Sequence, residues 1–285
     1  MSLFPLPDSV LEPLVRGALK EDFGNVGDIT TNAIVPEEHT CHAALVTRKD
    51  GIVAGLDLAR IAFWLCDPKV HFDPLKADGN SVEPNEMLAT VQGLSRGMLK
   101  AERTALNFLC HLSGIATETQ KLVEAVKPHK TRISCTRKTT PGLRVIEKYA
   151  VRAGGGVNHR FGLYDAVLIK DNHVAIAGGV RPAALAARAS AGPKVKVELE
   201  VDNLEQLREA LELPIDAILL DNMAPETLKE AVKMVNGRFV IEASGGVTLA
   251  NVQEIAAAGV DVISVGWITH SAPILDIGLD FLDGK

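Results

Sequence analysis

Aromatic residues are scarce in this chain: Phe, Trp and Tyr make up 4% of its 285 residues. A core with so few rings must rest on Val, Ile, Leu and Ala, a diet that suits buried parallel strands flanked by Ala- and Leu-rich helices. Cysteine is rare as well. Cys41, Cys66, Cys110 and Cys135 lie far apart and form no C-x-x-C pair, which argues against a disulfide framework or zinc site and for free thiols in a reducing compartment. No stretch approaches the roughly 18 uninterrupted apolar residues of a membrane-spanning helix, and Met1–Pro5 leads into no signal-like segment. The expectation is a cytoplasmic protein with no membrane partner. Positive charge is also short: Lys and Arg number 30 against 36 Asp and Glu, for a formal net charge of −6. Without a basic tail or stripe, nucleic acid is not an expected partner, although a local cation cluster can still collect an anionic ligand.

What is abundant is alternation. Strand-like runs start near Lys194 (KVKVELEV), Ala217 (AILLD), Phe239 (FVIEAS) and Asp261 (DVISVG), about 22 residues apart, with helical segments between them. Leu204, Leu207 and Leu211 share one helical face, with Asp202 and Glu205 as a capping box. Leu228, Ala231, Val232 and Val235 share another behind Pro225, and Val252, Ile255 and Ala256 a third between Thr248 as N-cap and Gly259 as stop. This period predicts βαβ units and a parallel sheet. Arg132–Arg137 and Ala166–Lys170 extend the series, giving six strands against the eight of a closed (β/α)₈ barrel, so two are irregular or the barrel is open. Helices are expected over Gly142–Ala153 and Pro182–Ser190. Earlier, Ala43–Ala54 and Glu86–Gln92 read as strands. A long helix spans about Arg96 to Val126, weakened in its middle by Gly114. Residues 1–110 form a smaller α+β domain and 111–285 the barrel, the tail after about 270 being a candidate to pack back on the first domain.

In a parallel barrel, chemistry gathers at the C-terminal strand ends. Here those ends read Thr136-Arg137-Lys138-Thr139-Thr140, Lys170-Asp171-Asn172-His173, Glu198 with Glu200, Asp221-Asn222, Ser244-Gly245-Gly246 and Val265-Gly266-Trp267. Any one polar strand end is what solvent demands; six in series, mixing cations, carboxylates and glycine turns, are more than solubility needs. Arg137, Lys138, His159, Arg160 and Lys170 converge on one mouth, with Arg144 and Arg152 close by in sequence. Such cations repel unless a polyanion or facing acids compensate. Glu198 and Glu200 point to the same side of their strand. If that side is the interior, each needs a partner such as Lys138, Lys170, a hydroxyl or a divalent metal. Ser244-Gly245-Gly246 before a helix from about Thr248 is a candidate phosphate cradle, whereas Gly154-Gly155-Gly156 follows a helix and reads as a turn. Lys170 at a strand end also leaves open an aldolase-type Schiff base.

These residues resemble a known family. Thr136–Gly142 (TRKTTPG), Asn158-His159-Arg160, Ile169–His173, Glu198-x-Glu200, Leu220-Asp221-Asn222 and Glu242–Gly246, with Glu21-Asp22, Gly27–Thr31 and Glu102–Asn107, are similar to the motif series of quinolinate phosphoribosyltransferase. The resemblance implies an N-terminal α+β sandwich-like domain followed by an open parallel α/β-barrel. It implies transfer of phosphoribosyl from phosphoribosyl pyrophosphate to quinolinate with loss of CO₂, giving nicotinate mononucleotide for NAD biosynthesis. Arg103, Thr136, Arg137, Lys138, His159 and Arg160 are then expected at the quinolinate, Arg103 reaching in from a second subunit. Lys138, Lys170, Glu200 and Asp221 are expected as the catalytic groups and, with Ser244, Gly245, Gly246, Val265, Gly266 and Trp267, at the phosphoribosyl pyrophosphate. Mg²⁺ is expected near Glu200 and Asp221, held directly or through water. The implied assembly is a homodimer with shared active sites, alone or within a hexamer. A homologue that kept only the fold, such as the related proteins associated with molybdate transport, would lack Arg137 or His159-Arg160; both motifs are present.

Overall fold

The computed structural model describes residues 3–282. Helices α1 (Asp8–Phe23) and α2 (Ile29–Ile34) precede β1 (Thr40–Thr47), β2 (Gly51–Ile52), α3 (Leu56–Cys66), β3 (His71–Pro74), β4 (Ser81–Val82) and β5 (Met87–Leu94). The long helix α4 (Ser95–Val126) follows, then β6 (Arg132–Ser134), α5 (Arg144–Ala153), β7 (Val167–Ile169), α6 (Asp171–Ala177) and α7 (Val180–Ser190). Strands β8 (Val197–Val201), β9 (Ala217–Asp221), β10 (Val240–Ser244) and β11 (Val262–Ser264) alternate with α8 (Leu204–Ala210), α9 (Pro225–Val235), α10 (Val252–Ala257) and α11 (Trp267–His270), before β12 (Ile277–Phe281). The chain divides into two compact units. One takes residues up to Gln120, Thr140–Gly155 and those from Ser271 on; the other takes Lys121–Thr139 and Gly156–His270. No helix among the described residues is long and apolar enough to cross a membrane.

In the first unit an antiparallel sheet runs β12-β1-β5-β3, the C-terminal strand pairing with β1 from Ala43↔Phe281 to Thr47↔Ile277. The single strand expected over Ala43–Ala54 is two. Lys49-Asp50 turns the chain, and β2 leaves to pair with β4 in a separate two-stranded sheet. Helix α4 matches its expected span, and Gly114 has a packing reason: a Cβ there would lie 2.1 Å from the carbonyl oxygen of Pro273. Gly154 is likewise a close approach, its hypothetical Cβ 2.2 Å from the carbonyl of Ala116.

The second unit holds a six-stranded parallel sheet in the order β6-β11-β10-β9-β8-β7. Read cyclically, this is sequence order with the β6–β7 ladder missing, an open barrel. An isolated parallel bridge, Ser134↔Val157, lies beside β6. Apolar alternation explains the outer face: Val197, Leu199 and Val201 of β8 are fully buried, and α7 and α8 pack on that strand. Helix α8 buries Leu207 and Ala210, α9 buries Leu228, Ala231 and Val235, and α10 buries Val252, Ile255 and Ala256. Each fully buried aliphatic side chain contributes about 1.5–3 kcal/mol. Two caps differ from expectation. Asn203, not Asp202, caps α8, its Oδ1 accepting the N–H groups of Glu205 and Gln206 at 3.1 and 2.9 Å. Helix α10 starts at Val252, not near Thr248, because Asn251 Oδ1 takes the Thr248 N–H at 2.8 Å and holds that segment in a turn. The short helix α6 was not expected; its seven residues hold Val, Ile and His and end at Gly178-Gly179, too brief for a 3.6-residue period to show.

Candidate active site

All six strands of the second unit run in one direction, so the loops that follow them emerge at one end, where those after β6, β7, β9 and β10 help to line a cavity of about 510 Å³. Thr136, Arg137 and Lys138 enter from the segment after β6, Lys170 from β7, Asp221 and Asn222 from β9, and Ser244, Gly245 and Gly246 from β10. His159 and Arg160 come from the segment that follows the Val157 bridge. A second pocket of about 200 Å³ shares Thr136, Lys138 and the Ser244–Gly246 turn and adds Val265, Gly266 and Trp267. Arg144 and Arg152 stand on α5 in the first unit and are not among the residues lining the cavity. Arg103 is exposed on α4, also in the first unit.

The lysines are held by different means. Lys138 is exposed, but its backbone is fixed: its N–H donates to Thr136 Oγ1 at 2.9 Å, and its carbonyl accepts from Thr269 Oγ1 at 2.7 Å. The Lys170 N–H donates to His173 Nδ1 at 2.9 Å, and its ammonium forms an ion pair with buried Glu200. That pair supplies the partner Glu200 was expected to need, and a Schiff-base role for Lys170 would have to break it. Asp221 accepts from Asn222 Nδ2 at 2.6 Å. Asn222 itself is left-handed, at φ 53°.

Two arginines lie close enough for their charges to oppose each other. Burial first, then the charge of Arg137, pull the Arg160 guanidinium below the usual arginine value. Its Nη1 donates to the carbonyl of Ala166 at 3.0 Å, while its buried Nε has no hydrogen-bond acceptor. A cation pair that destabilises its own charge favours an anionic ligand. Opposite in sign is a cluster on the barrel's inner face. His159 Nε2 lies 3.2 Å from Glu198 Oε2 and 3.5 Å from Glu242 Oε1. Burial, then the charge of Glu198, push the Glu242 carboxyl up to about 7.

The turn from Ser244 to Gly246 depends on its glycines. Gly245 and Gly246 both have positive φ, 94° and 59°. A Cβ on Gly245 would lie 2.0 Å from Asn222 Oδ1. Trp267 Nε1 donates to the Val247 carbonyl at 2.9 Å and ties this turn to the end of β11. With α10 starting four residues beyond Thr248, the donors there are turn amides rather than that helix's N-terminus.

The chain resembles known proteins over nearly its whole length. The chain matches the model of the quinolinate phosphoribosyl transferase N-terminal domain over residues 28–113 and of its C-terminal domain over residues 115–280. It belongs to the quinolinate phosphoribosyltransferase family. Among curated relatives, it is 46% identical to the nicotinate-nucleotide pyrophosphorylase [carboxylating] of Mycobacterium leprae, covering 93% of this chain and 95% of that one. It is 43% identical to the probable enzyme of the same name from Bacillus subtilis, covering 95% and 93%. The solved nicotinate-nucleotide pyrophosphorylase of Francisella tularensis superposes with a TM-score of 0.93 at 39% identity, covering 99% of both chains.

For a member of this family, the cavity brings together Thr136, Arg137, Lys138, His159, Arg160, Lys170, Asp221, Ser244, Gly245 and Gly246. Glu200 sits behind Lys170, Val265, Gly266 and Trp267 fall in the smaller pocket, and Arg103 is in the other unit. Glu242, Asn222 and Ser264 also line the cavity; the first two stand in the motifs Glu242–Gly246 and Leu220–Asn222 without a role of their own, and Ser264 in neither. Glu242 had a signal: an acid in the middle of the apolar run Phe239–Ser244, as with Glu198 on β8.

Proposed function

We propose that this chain transfers the phosphoribosyl group of phosphoribosyl pyrophosphate to quinolinate with decarboxylation, giving nicotinate mononucleotide, CO₂ and pyrophosphate. The observation that carries this reading is one cavity in which Arg137, Lys138, Arg160 and Lys170 face open space beside a glycine turn. A dicarboxylate and a phosphorylated sugar together are the anions that such a set of cations recognises.

Arg137, Arg160 and Thr136 would take the two carboxylates beside His159, whose ring faces Glu198 and Glu242, with Arg103 contributed by the partner of a homodimer. Ser244, Gly245, Gly246, Val265, Gly266 and Trp267 would hold the 5′-phosphate. Glu200 and Asp221 would face the ribose, where fixed negative charge stabilises the oxocarbenium character that grows as pyrophosphate leaves C1. Lys138 and Lys170 would offset charge on the leaving group. A Mg²⁺ fits the donor set: Asp221 lines the cavity, Glu200 lies nearby on β8, and this ion needs only one or two carboxylates besides phosphate oxygens and water. When bound it would neutralise pyrophosphate charge. Positioning and electrostatics, not a nucleophile, then carry the transfer. None of the four cysteines forms a disulfide, which favours a cytoplasmic setting.

The test is steady-state turnover by purified protein with phosphoribosyl pyrophosphate and Mg²⁺. Quinolinate should yield nicotinate mononucleotide; turnover of nicotinate with quinolinate ignored would overturn the reading.

A further inference from the structure

The proposed reaction leaves one atom unaccounted for. When CO₂ departs, the electron pair of the broken C–C bond stays on C2 of the pyridinium ring, beside the cationic nitrogen, and C2 must gain a proton. Arginines are too weak as acids to be its ordinary source. His159 carries its proton inward: its Nδ1 accepts the Arg160 backbone N–H at 2.8 Å, so the ring hydrogen sits on Nε2, against Glu198 and Glu242.

The same tautomer weighs against a metal at this cluster. His159, Glu198 and Glu242 have the composition of a metal site, but an ion on Nε2 would need the hydrogen on Nδ1, where a backbone donor already points.

Glu242 remains. It lines the cavity, is 5% exposed, and its Oε1 makes no hydrogen bond, His159 Nε2 standing 3.5 Å away. The groups around it are Glu198 from β8, His159, Lys170 from the end of β7, and Ser264 of β11, whose hydroxyl bonds the carboxyl. Neighbouring β9 offers it Leu219 in register. Burial, then the nearby Glu198 carboxylate, raise the Glu242 carboxyl to about 7.

We propose that Glu242 is the acid that protonates C2 after decarboxylation. The proposal rests on the quinolinate reading above. In the step, the Glu242 O–H bond breaks, its proton forms the new C2–H bond with the pair left by CO₂, and the resulting carboxylate regains a proton from solvent before the next turnover.

The experiment compares wild type with Glu242→Gln, which keeps shape and hydrogen-bonding size but offers no acidic proton. Rates of nicotinate mononucleotide formation would be measured from pH 5.5 to 9. The wild-type kcat should fall as pH rises past neutrality, and kcat should drop in D₂O. In the variant, kcat should fall by about 100-fold or more with KM for both substrates within about threefold, and the basic limb should vanish. A variant within threefold of wild-type kcat overturns the proposal. So does a slow variant that keeps the limb, which would make Glu242 a positioning residue and Lys170 or Lys138 the donor. If the variant does not fold, the wild type decides alone: absence of both the basic limb and the solvent isotope effect overturns it. Wild type inert toward quinolinate would sink the functional reading itself, a result distinct from all of these.

Discussion

Gly245 and Gly246 are adjacent, both left-handed, and differ in what stands beside them, so replacing each with alanine separates strain from collision. At Gly245 the φ of 94° costs a side-chain-bearing residue about 1–3 kcal/mol. An added Cβ would also lie 2.0 Å from Asn222 Oδ1, 2.5 Å from its Cγ and 3.0 Å from its backbone nitrogen. Asn222 cannot yield cheaply. Its N–H donates to the Ser244 carbonyl at 2.8 Å and its amide to Asp221 at 2.6 Å. Overpacking of this kind adds about 1–3 kcal/mol. Gly245→Ala should therefore cost about 2–6 kcal/mol in all. Gly246 has a φ of 59°, within the ordinary left-handed region, and open space where its Cβ would go. Gly246→Ala should cost only about 1–2 kcal/mol. Urea unfolding of both variants gives the stabilities, and the KM for phosphoribosyl pyrophosphate reports the turn's geometry. Gly245→Ala should be the less stable and show the larger rise in KM. Equal midpoints and equal KM values would refute the packing argument.

Arg137→Ala should weaken quinolinate by about 2–5 kcal/mol, read as KM, with the phosphoribosyl donor less affected; loss confined to the donor would reassign the cation. Mixing Arg103→Ala with Arg137→Ala chains should restore some activity if sites are shared across a dimer, and no rescue would place Arg103 in its own chain's chemistry or outside it. Stability should carry the signature of Glu242. Its carboxyl, raised from 4.5 to about 7, binds a proton more tightly folded than unfolded. Its contribution is thus full below about 4.5 and lost as pH rises through about 7, so Glu242→Gln should flatten the fall of Tm across that window. An unchanged slope would contradict the burial argument.

Much of the barrel was legible because its signals are periodic and local. The strands from β8 to β11 and helices α7 and α9 announce themselves by alternation and by Pro225, and α4 by its length. What was less legible depends on contacts distant in sequence. Nothing near Gly114 says that Pro273 will press against it, and the break between β1 and β2 depends on a strand partner, β4, that only the fold supplies. The helix starts at Asn203 and Asn251 were misjudged by one and three residues because Asx turns compete with Asp202 and Thr248 for the same amides. At the site, strand ends gave the cations and Asp221 directly. A role for Glu242 was hidden because an acid within an apolar run reveals its burial, but not the second carboxylate that burial brings beside it.

The central claim is that one cavity couples phosphoribosyl transfer to loss of the carboxyl next to the ring nitrogen. Quinolinate carrying ¹³C in its 2-carboxyl group tests this directly, with ¹³CO₂ and pyrophosphate followed together. One labelled CO₂ should appear for each pyrophosphate released. Pyrophosphate without labelled CO₂, or no release of either with quinolinate present, would contradict it.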